Sequence, residues 1–318
     1  MIAKTIKPVC LNLGDCNGLG DLICATPTIA KLAASYGKQI TVLSNMPELF
    51  KANPNVSGSY KCSSVNWQYF NDNYIMHNSF YGVGSKNERG IEAHHNCMDI
   101  RQFHSIHLGF MLSKDEMECT YAPIEPLNID LPDNYVVIHP VTTWAVRTWD
   151  AKKWMLLTKQ LNDTGIAVVS IGKDSSETGF FNVDKPCFNF EITTGLNLMN
   201  KTSISQCWHI INRAMCFVTM DSGLLHLAGT TDTPIIHLGS SIKPEFRIPY
   251  RNGNQDYKYK YVRGGCGLEC ASDLKYSLDY WDDINSIPPL IKCLEKKKTF
   301  ECHPPVLDVL NNILTFTK

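Results

Sequence analysis

The chain has 318 residues, 44% of them hydrophobic and 19% charged, enough for one large domain or two ordinary ones with a real core. A formal net charge of −1 and a pI near 6.8 exclude any general attraction to nucleic acid or anionic membrane, so an acidic partner has to be met by a local patch. Residues 1–14 are too broken by Lys and Pro for a secretory signal, and no apolar run reaches the roughly 18 residues of a membrane span. The thirteen cysteines therefore read as reduced thiols rather than a disulfide scaffold, and the expected location is a cytosol, bacterial or of a phage-infected host.

In chain order, the first strand is expected over residues 8–13, followed by a Gly-rich turn, GDCNGLGD. The pattern predicts a helix from Leu22 to Tyr36, with Pro27 near its start and Gly37 past its end. ITVLS, residues 40–44, reads as a short buried strand, which completes a β-loop-α-β unit. Residues 58–120 are rich in Asn, His, Tyr and Ser and give one pattern only, a helix from Asn96 to Met111. Residues 122–134 carry three prolines and read as a linker. The β-α rhythm then restarts: strand YVVIHP, a helix from Ala151 to Leu161, strand IAVVSIG, a helix from Ser203 to Arg213, strand CFVTM, a short helix from Leu224 to Thr230, and strand TPIIHLG. Residues 304–315 place Val306, Val309, Leu310, Ile313 and Leu314 on one helical face. The expected class is α/β with two Rossmann-like halves: an N-terminal domain over 1–128, a second over 129–300, and a C-terminal helix over 301–318 packing back across the domains.

Three strand-to-helix turns carry polar groups that fold alone does not require. MDSGLLHLAG puts Asp221, Ser222, Gly223, Leu224 and His226 where backbone N–H groups are unpaired and a ligand approaches closely. Ordinary helix capping explains the Ser and Asp, and an anion site explains their company with Gly and His. GLGDLICATP carries Gly18, Gly20 and Asp21. It lacks the Lys of a phosphate-binding loop, and Ile23 stands where the dinucleotide fingerprint needs its third Gly. Asp21 then reads either as an N-cap or as a general base. HPVTTWAVRTW supplies Thr142, Thr143 and Arg147, with a surface salt bridge as the plain alternative for the Arg.

GLGDLICATP, HPVTTWAVRTWDAKKW and FVTMDSGLLHLAGTTDTPIIHLG, in that order, resemble glycosyltransferase family 9, the ADP-heptose:lipopolysaccharide heptosyltransferases. The resemblance covers the first 45 residues and most of 134–240. It implies a GT-B fold, an acceptor domain and a donor domain facing a cleft, and metal-independent inverting transfer from a nucleotide-diphosphate sugar with no cofactor. It implies Asp21 as the catalytic base. It implies donor contacts at Thr142, Thr143, Arg147, Asp221, Ser222, Gly223, Leu224 and His226, and more loosely at Glu177. Gly18, Gly20, Asp99 and Arg101 stand as acceptor-side or loop candidates. Val141 departs from the family's H-P-G turn, and residues before 120 lack the basic cluster that a phosphorylated lipid core favours.

Other features leave alternatives open. YRNGNQDYKYKYVRGG, residues 250–265, interleaves Tyr with Lys and Arg, as a solvated loop or as a nucleic-acid contact of a phage-type DNA glycosyltransferase acting on a hydroxymethylated base. The acceptor is then a glycan or lipid core, or a modified base. A non-catalytic nucleotide-sugar-binding module is a further class, and a GT-B epimerase another. Cys266, Cys270, Cys293 and Cys302 do not have standard zinc-ribbon spacing, and no metal is expected there. His94, His95, His104 and His107 crowd around Asp99 as a polar wall or surface helix rather than a metal site.

Overall fold

The computed structural model describes residues 7–14, 16, 18–79, 98–142, 145–173, 194–270, 272, 293 and 300–317. The chain divides into two compact units, Met1–Ile124 and Glu125–Lys318, so the boundary falls inside the Pro-rich stretch.

In the first unit β1 (Val9–Asn12), β2 (Ile40–Ser44), β3 (Val56–Lys61) and β4 (Ile75–Asn78) form a parallel sheet in the order β3-β2-β1-β4. β2, ITVLS, is buried along its whole length, so its residues do not divide into a buried and an exposed face. The single helix expected over 22–36 is two, α1 (Leu19–Cys24) and α2 (Thr26–Tyr36), meeting at Ala25. Pro27 has no N–H and its ring would collide with the carbonyl of Ile23, so the helix restarts there. That carbonyl accepts instead from Thr26 Oγ1 at 2.7 Å. Two further helices follow, α3 (Trp67–Asn73) and α4 (Ile100–His107). The helix expected from residue 96 thus begins later, because Asp99 accepts from Arg101 N and caps it. Residues 96 and 97, and with them His94 and His95, lie outside the described residues.

The second unit is a six-stranded parallel sheet ordered β10-β9-β8-β5-β6-β7. Its strands are β5 (Tyr135–His139), β6 (Ala167–Ser170), β7 (Gly195–Asn197), β8 (Cys216–Thr219), β9 (Ile235–Leu238) and β10 (Tyr259–Val262). Counted within the unit this is 3-2-1-4-5-6, the doubly wound order, with its switch point between β5 and β8. Helices α5 (Ala151–Asp163), α6 (Ile204–Asn212) and α7 (Gly223–Ala228) lie between strands. The last helix, α8 (Val306–Leu314), packs on α5, β9 and β10. It buries Val306, Val309 and Ile313 in one core with Trp149, Trp154, Leu157, Val218 and Ile236. Burying each such side chain contributes about 1.5–3 kcal/mol, so this helix is integral to the second unit.

Candidate functional site

Ligands of open α/β sheets bind outside the carboxyl ends of the strands where the strand order reverses. At that point in the second unit, His139 ends β5 opposite Thr219 at the end of β8. His139 Nδ1 lies 3.2 Å from Thr219 Oγ1 and 3.1 Å from Ser222 Oγ, and the two hydroxyls are 3.1 Å apart. Ser222 caps α7, accepting from Leu225 N at 3.3 Å. The cap expected from sequence is therefore present, and a buried histidine holds its hydroxyl in place. Burial pushes the His139 imidazole down to about 4, so it is neutral at neutral pH.

Asp221 is 2% exposed and carries the charge logic of the site. Its Oδ2 is 3.1 Å from Arg147 Nη1 and 3.4 Å from Arg247 Nε. Burial works against ionisation, but Arg147 and Arg247, with smaller help from His226 and His237, hold the carboxyl well below the usual carboxylate range. Two guanidinium groups around one carboxylate leave a net positive charge at the strand ends. Arg247 is 2% exposed, whereas the Arg147 side chain is 15% exposed and can reach a ligand. Arg147 ends a 3-10 turn, Ala145–Arg147, whose carbonyl accepts from Thr142 Oγ1 at 2.8 Å. Thr142 thus closes the loop that carries the arginine. Gly223 and Leu224 form the first turn of α7, and His226, 3% exposed, lies in its last. Thr143 and Glu177 lie outside the described residues.

In the first unit Asp21 is the third residue of α1, and Gly18 occupies the N-cap position. The N-cap alternative for Asp21 is therefore not the arrangement seen. A side chain at Gly18 would meet Asp21 Oδ2 at 1.9 Å, so the glycine makes room for the carboxylate. Gly20 is buried in the same helix. The Asp21 carbonyl lies 3.2 Å from Nε2 of the buried His104, whose Nδ1 is 2.7 Å from Ser79 Oγ. Arg101 is fully buried and bonded twice to Asp99, at 2.8 and 2.6 Å, so this pair fixes the start of α4.

Among the described residues no group of three or more His, Cys, Asp or Glu side chains is placed to hold a metal ion. Burial, with Cys266 and Cys270 nearby, pushes the Cys302 thiol up to about 12, and Cys293 is half-buried. The Tyr-, Lys- and Arg-rich stretch expected as a loop contains β10. Tyr250, Arg251 and Tyr259 are buried, and Arg251 donates to the carbonyls of Thr231, Thr233, Tyr257 and Lys258. Its alternation serves packing, and no feature there supports a DNA acceptor.

Sequence reasoning missed Arg247, His139, Thr219 and His237. The first three bond to assigned residues, and His237 pairs in register with Thr219 on β9. The available signal was the placement of His and Thr at the last positions of apolar strands, where side chains meet the switch point. Arg247 had no local signal.

The family model described as glycosyltransferase family 9 (heptosyltransferase) matches residues 85–261, more than half of the chain. Lipopolysaccharide heptosyltransferase 3 of Escherichia coli is 28% identical over 121 residues, which are 37% of this chain and 35% of that protein. The chain therefore matches about a third of the length of that curated relative. Among solved structures, the glycosyltransferase TibC of enterotoxigenic E. coli, described as iron-containing and dodecameric, superposes with a TM-score of 0.69 at 17% identity over 98% of this chain and 76% of that one. The glycosyltransferase family 9 protein of Veillonella parvula gives 0.66 at 14% identity, over 98% and 97%. E. coli ADP-heptose LPS heptosyltransferase II gives 0.60 at 16% identity, over 85% and 96%. These likenesses bear out the expected GT-B class, two parallel α/β sheets with a C-terminal helix.

Proposed function

The chain belongs to glycosyltransferase family 9, and from that premise we propose that it is an inverting transferase moving a sugar from a nucleotide-diphosphate sugar to an acceptor hydroxyl. The observation that carries the reading is the Arg147–Asp221–Arg247 group at the switch point. Departure of a nucleoside diphosphate develops negative charge on its phosphate oxygens, and preorganised cations beside Ser222 and the first turn of α7 suit that charge. Arg147 is the arm exposed to the ligand, Asp221 orients it, and Arg247 offsets Asp221 so that Arg147 retains its charge for the diphosphate. Thr143, Glu177, Gly223, Leu224 and His226 are proposed as further donor contacts. Asp21 is proposed as the base that takes the acceptor hydroxyl's proton as the oxygen attacks the anomeric carbon opposite the diphosphate.

We propose that transfer is metal-independent, because the arginines supply the positive charge that a divalent cation supplies in other phosphate sites. TibC is described as iron-containing, and metal independence of this chain is tested by transfer in the presence of EDTA. The donor expected to bind is an ADP-heptose, after the TibC complex with ADP-D-beta-D-heptose, and the acceptor a lipopolysaccharide-type glycan.

The test is transfer from ADP-heptose to a heptose-bearing core oligosaccharide, followed by mass spectrometry and by NMR of the new anomeric centre, with and without EDTA. A product of inverted configuration formed equally in EDTA is expected. Retained configuration, or donor binding without transfer to any glycan, overturns the reading.

A further inference from the structure

We infer that His303 is a positioning residue for Arg147, so that the strap of residues 300–304, which leads into α8, sets the geometry of the donor site. The inference rests on the proposed role of Arg147 as a diphosphate contact. Arg147 sits on a single 3-10 turn between β5 and α5, and one turn does not hold an arginine to ångström accuracy unless something outside it fixes the backbone. The neighbouring carbonyl, of Val146, accepts from His303 Nε2 at 2.7 Å in a buried setting. Two residues beyond Arg147, Trp149 Nε1 donates to the Pro304 carbonyl at 3.0 Å, and Lys153 Nζ reaches the same oxygen at 3.2 Å. The strap and the arginine-bearing loop are therefore tied at two successive strap residues.

The strap is itself held from its other side. A side chain at Gly264, just after β10, would meet the carbonyl oxygens of Glu301 and His303 at 2.2 and 2.4 Å. The backbones pack directly, with Gly264 N donating to Cys302 O at 2.9 Å and Cys266 N to Glu301 O at 3.2 Å. Behind the strap, α8 is sunk in the core. The His303 ring lies 5.1 Å from that of Phe300, and burial keeps it neutral, pushed down to about 4, so the nitrogen facing the carbonyl carries the proton. A buried neutral imidazole bonded to a backbone carbonyl is unsuited to general acid chemistry and well suited to holding a turn. The chain of contact runs from β10 through the strap and His303 to Val146, Arg147 and Asp221.

The test uses the full-length protein with His303→Leu, which removes the donor, and His303→Gln, whose amide nitrogen can still reach Val146 O. His303→Asn, too short to reach it but polar, serves where the leucine variant does not fold. Crystal structures give the Arg147–Asp221 separation, and calorimetry gives ADP affinity, the affinity also in the Arg147→Ala background. The expected result is a displaced Arg147 and about tenfold weaker ADP binding in His303→Leu or His303→Asn, the worth of one buried hydrogen bond. Near-wild-type behaviour is expected in His303→Gln, and no further loss when His303 is replaced in Arg147→Ala. An Arg147 that stays on Asp221 in the leucine and asparagine variants overturns the positioning. So does a loss that is the same size in the Arg147→Ala background. Wild-type protein that binds no ADP, UDP or GDP overturns the donor-site reading instead, and the crystal structures still decide the positioning.

Discussion

Arg247 Nε lies 3.4 Å from Asp221 Oδ2, and both side chains are almost wholly withdrawn from water. A buried ion pair adds little net stability while intact, but removing one partner leaves the other charge without compensation. Asp221→Asn is therefore expected to lower unfolding free energy by about 3–5 kcal/mol in urea titrations. Arg147→Ala leaves Asp221 compensated by Arg247, so it costs less stability than Asp221→Asn while reducing transfer by about a hundredfold or more. An Asp221→Asn protein as stable as wild type would show that Arg247 is neutralised elsewhere.

Ser222 has two duties that one substitution separates. Ser222→Ala loses the cap on Leu225 N, about 1 kcal/mol, and releases the hydroxyl held by His139. His139→Leu keeps the cap and loses the ring's contacts to Ser222 and Thr219. Thermal melts are expected to drop for Ser222→Ala, and ADP affinity to fall in both variants. If His139→Leu binds ADP as tightly as wild type, the imidazole does not set the hydroxyl's position.

Much of this architecture was legible in the chain, for a physical reason. β2, β5, β8 and β9 are buried throughout, so each is an apolar run that ends at a turn. β3, VSGSYK, lies at a sheet edge with polar, exposed residues, and β10 is built from Tyr and Lys, so neither carries that mark. The switch point is a property of strand order, which no local pattern encodes. Asp221, Ser222 and Arg147 were readable because their turns carry chemistry in short spacing. Arg247 was not, because it reaches Asp221 only through the fold.

Acid stability follows from the buried imidazoles. His104, His139, His237 and His303 are each pushed down to about 4 by burial, against an ordinary value of 6.5. Between those values the unfolded chain binds protons that the folded chain does not. Stability is fully present above pH 6.5 and is lost as pH falls toward 4. At pH 5 the loss is on the order of 2 kcal/mol per histidine. The Asp221 carboxyl, held low, contributes no loss until well below that window. Melting curves from pH 7.5 to pH 5 are expected to shift steeply downward, less so in His303→Gln. A melting temperature constant across that range would mean that these rings are hydrated in solution.

Arg251 decides what the Tyr-, Lys- and Arg-rich stretch is for. Its Nη1 donates to Thr231 O and Thr233 O at 3.0 and 2.7 Å, and its Nη2 to Tyr257 O and Lys258 O at 2.7 and 3.0 Å. Those carbonyls precede β9 and β10, so one guanidinium ties the starts of two adjacent strands. Tyr257 lies beneath it, 5.7 Å from ring centre to guanidinium carbon. Arg251→Met keeps most of the stem's packing and removes the donors to four acceptors, at about 1 kcal/mol each. Stability is expected to fall by about 3–4 kcal/mol, with ADP affinity of the remaining folded protein unchanged. Lys in its place restores part of the loss, since one ammonium cannot reach four carbonyls held in two directions. Denaturant titration and DNA-binding assays on the same variants check this. A stable Arg251→Met protein that loses a DNA affinity present in wild type would return this surface to nucleic-acid recognition and refute the packing account.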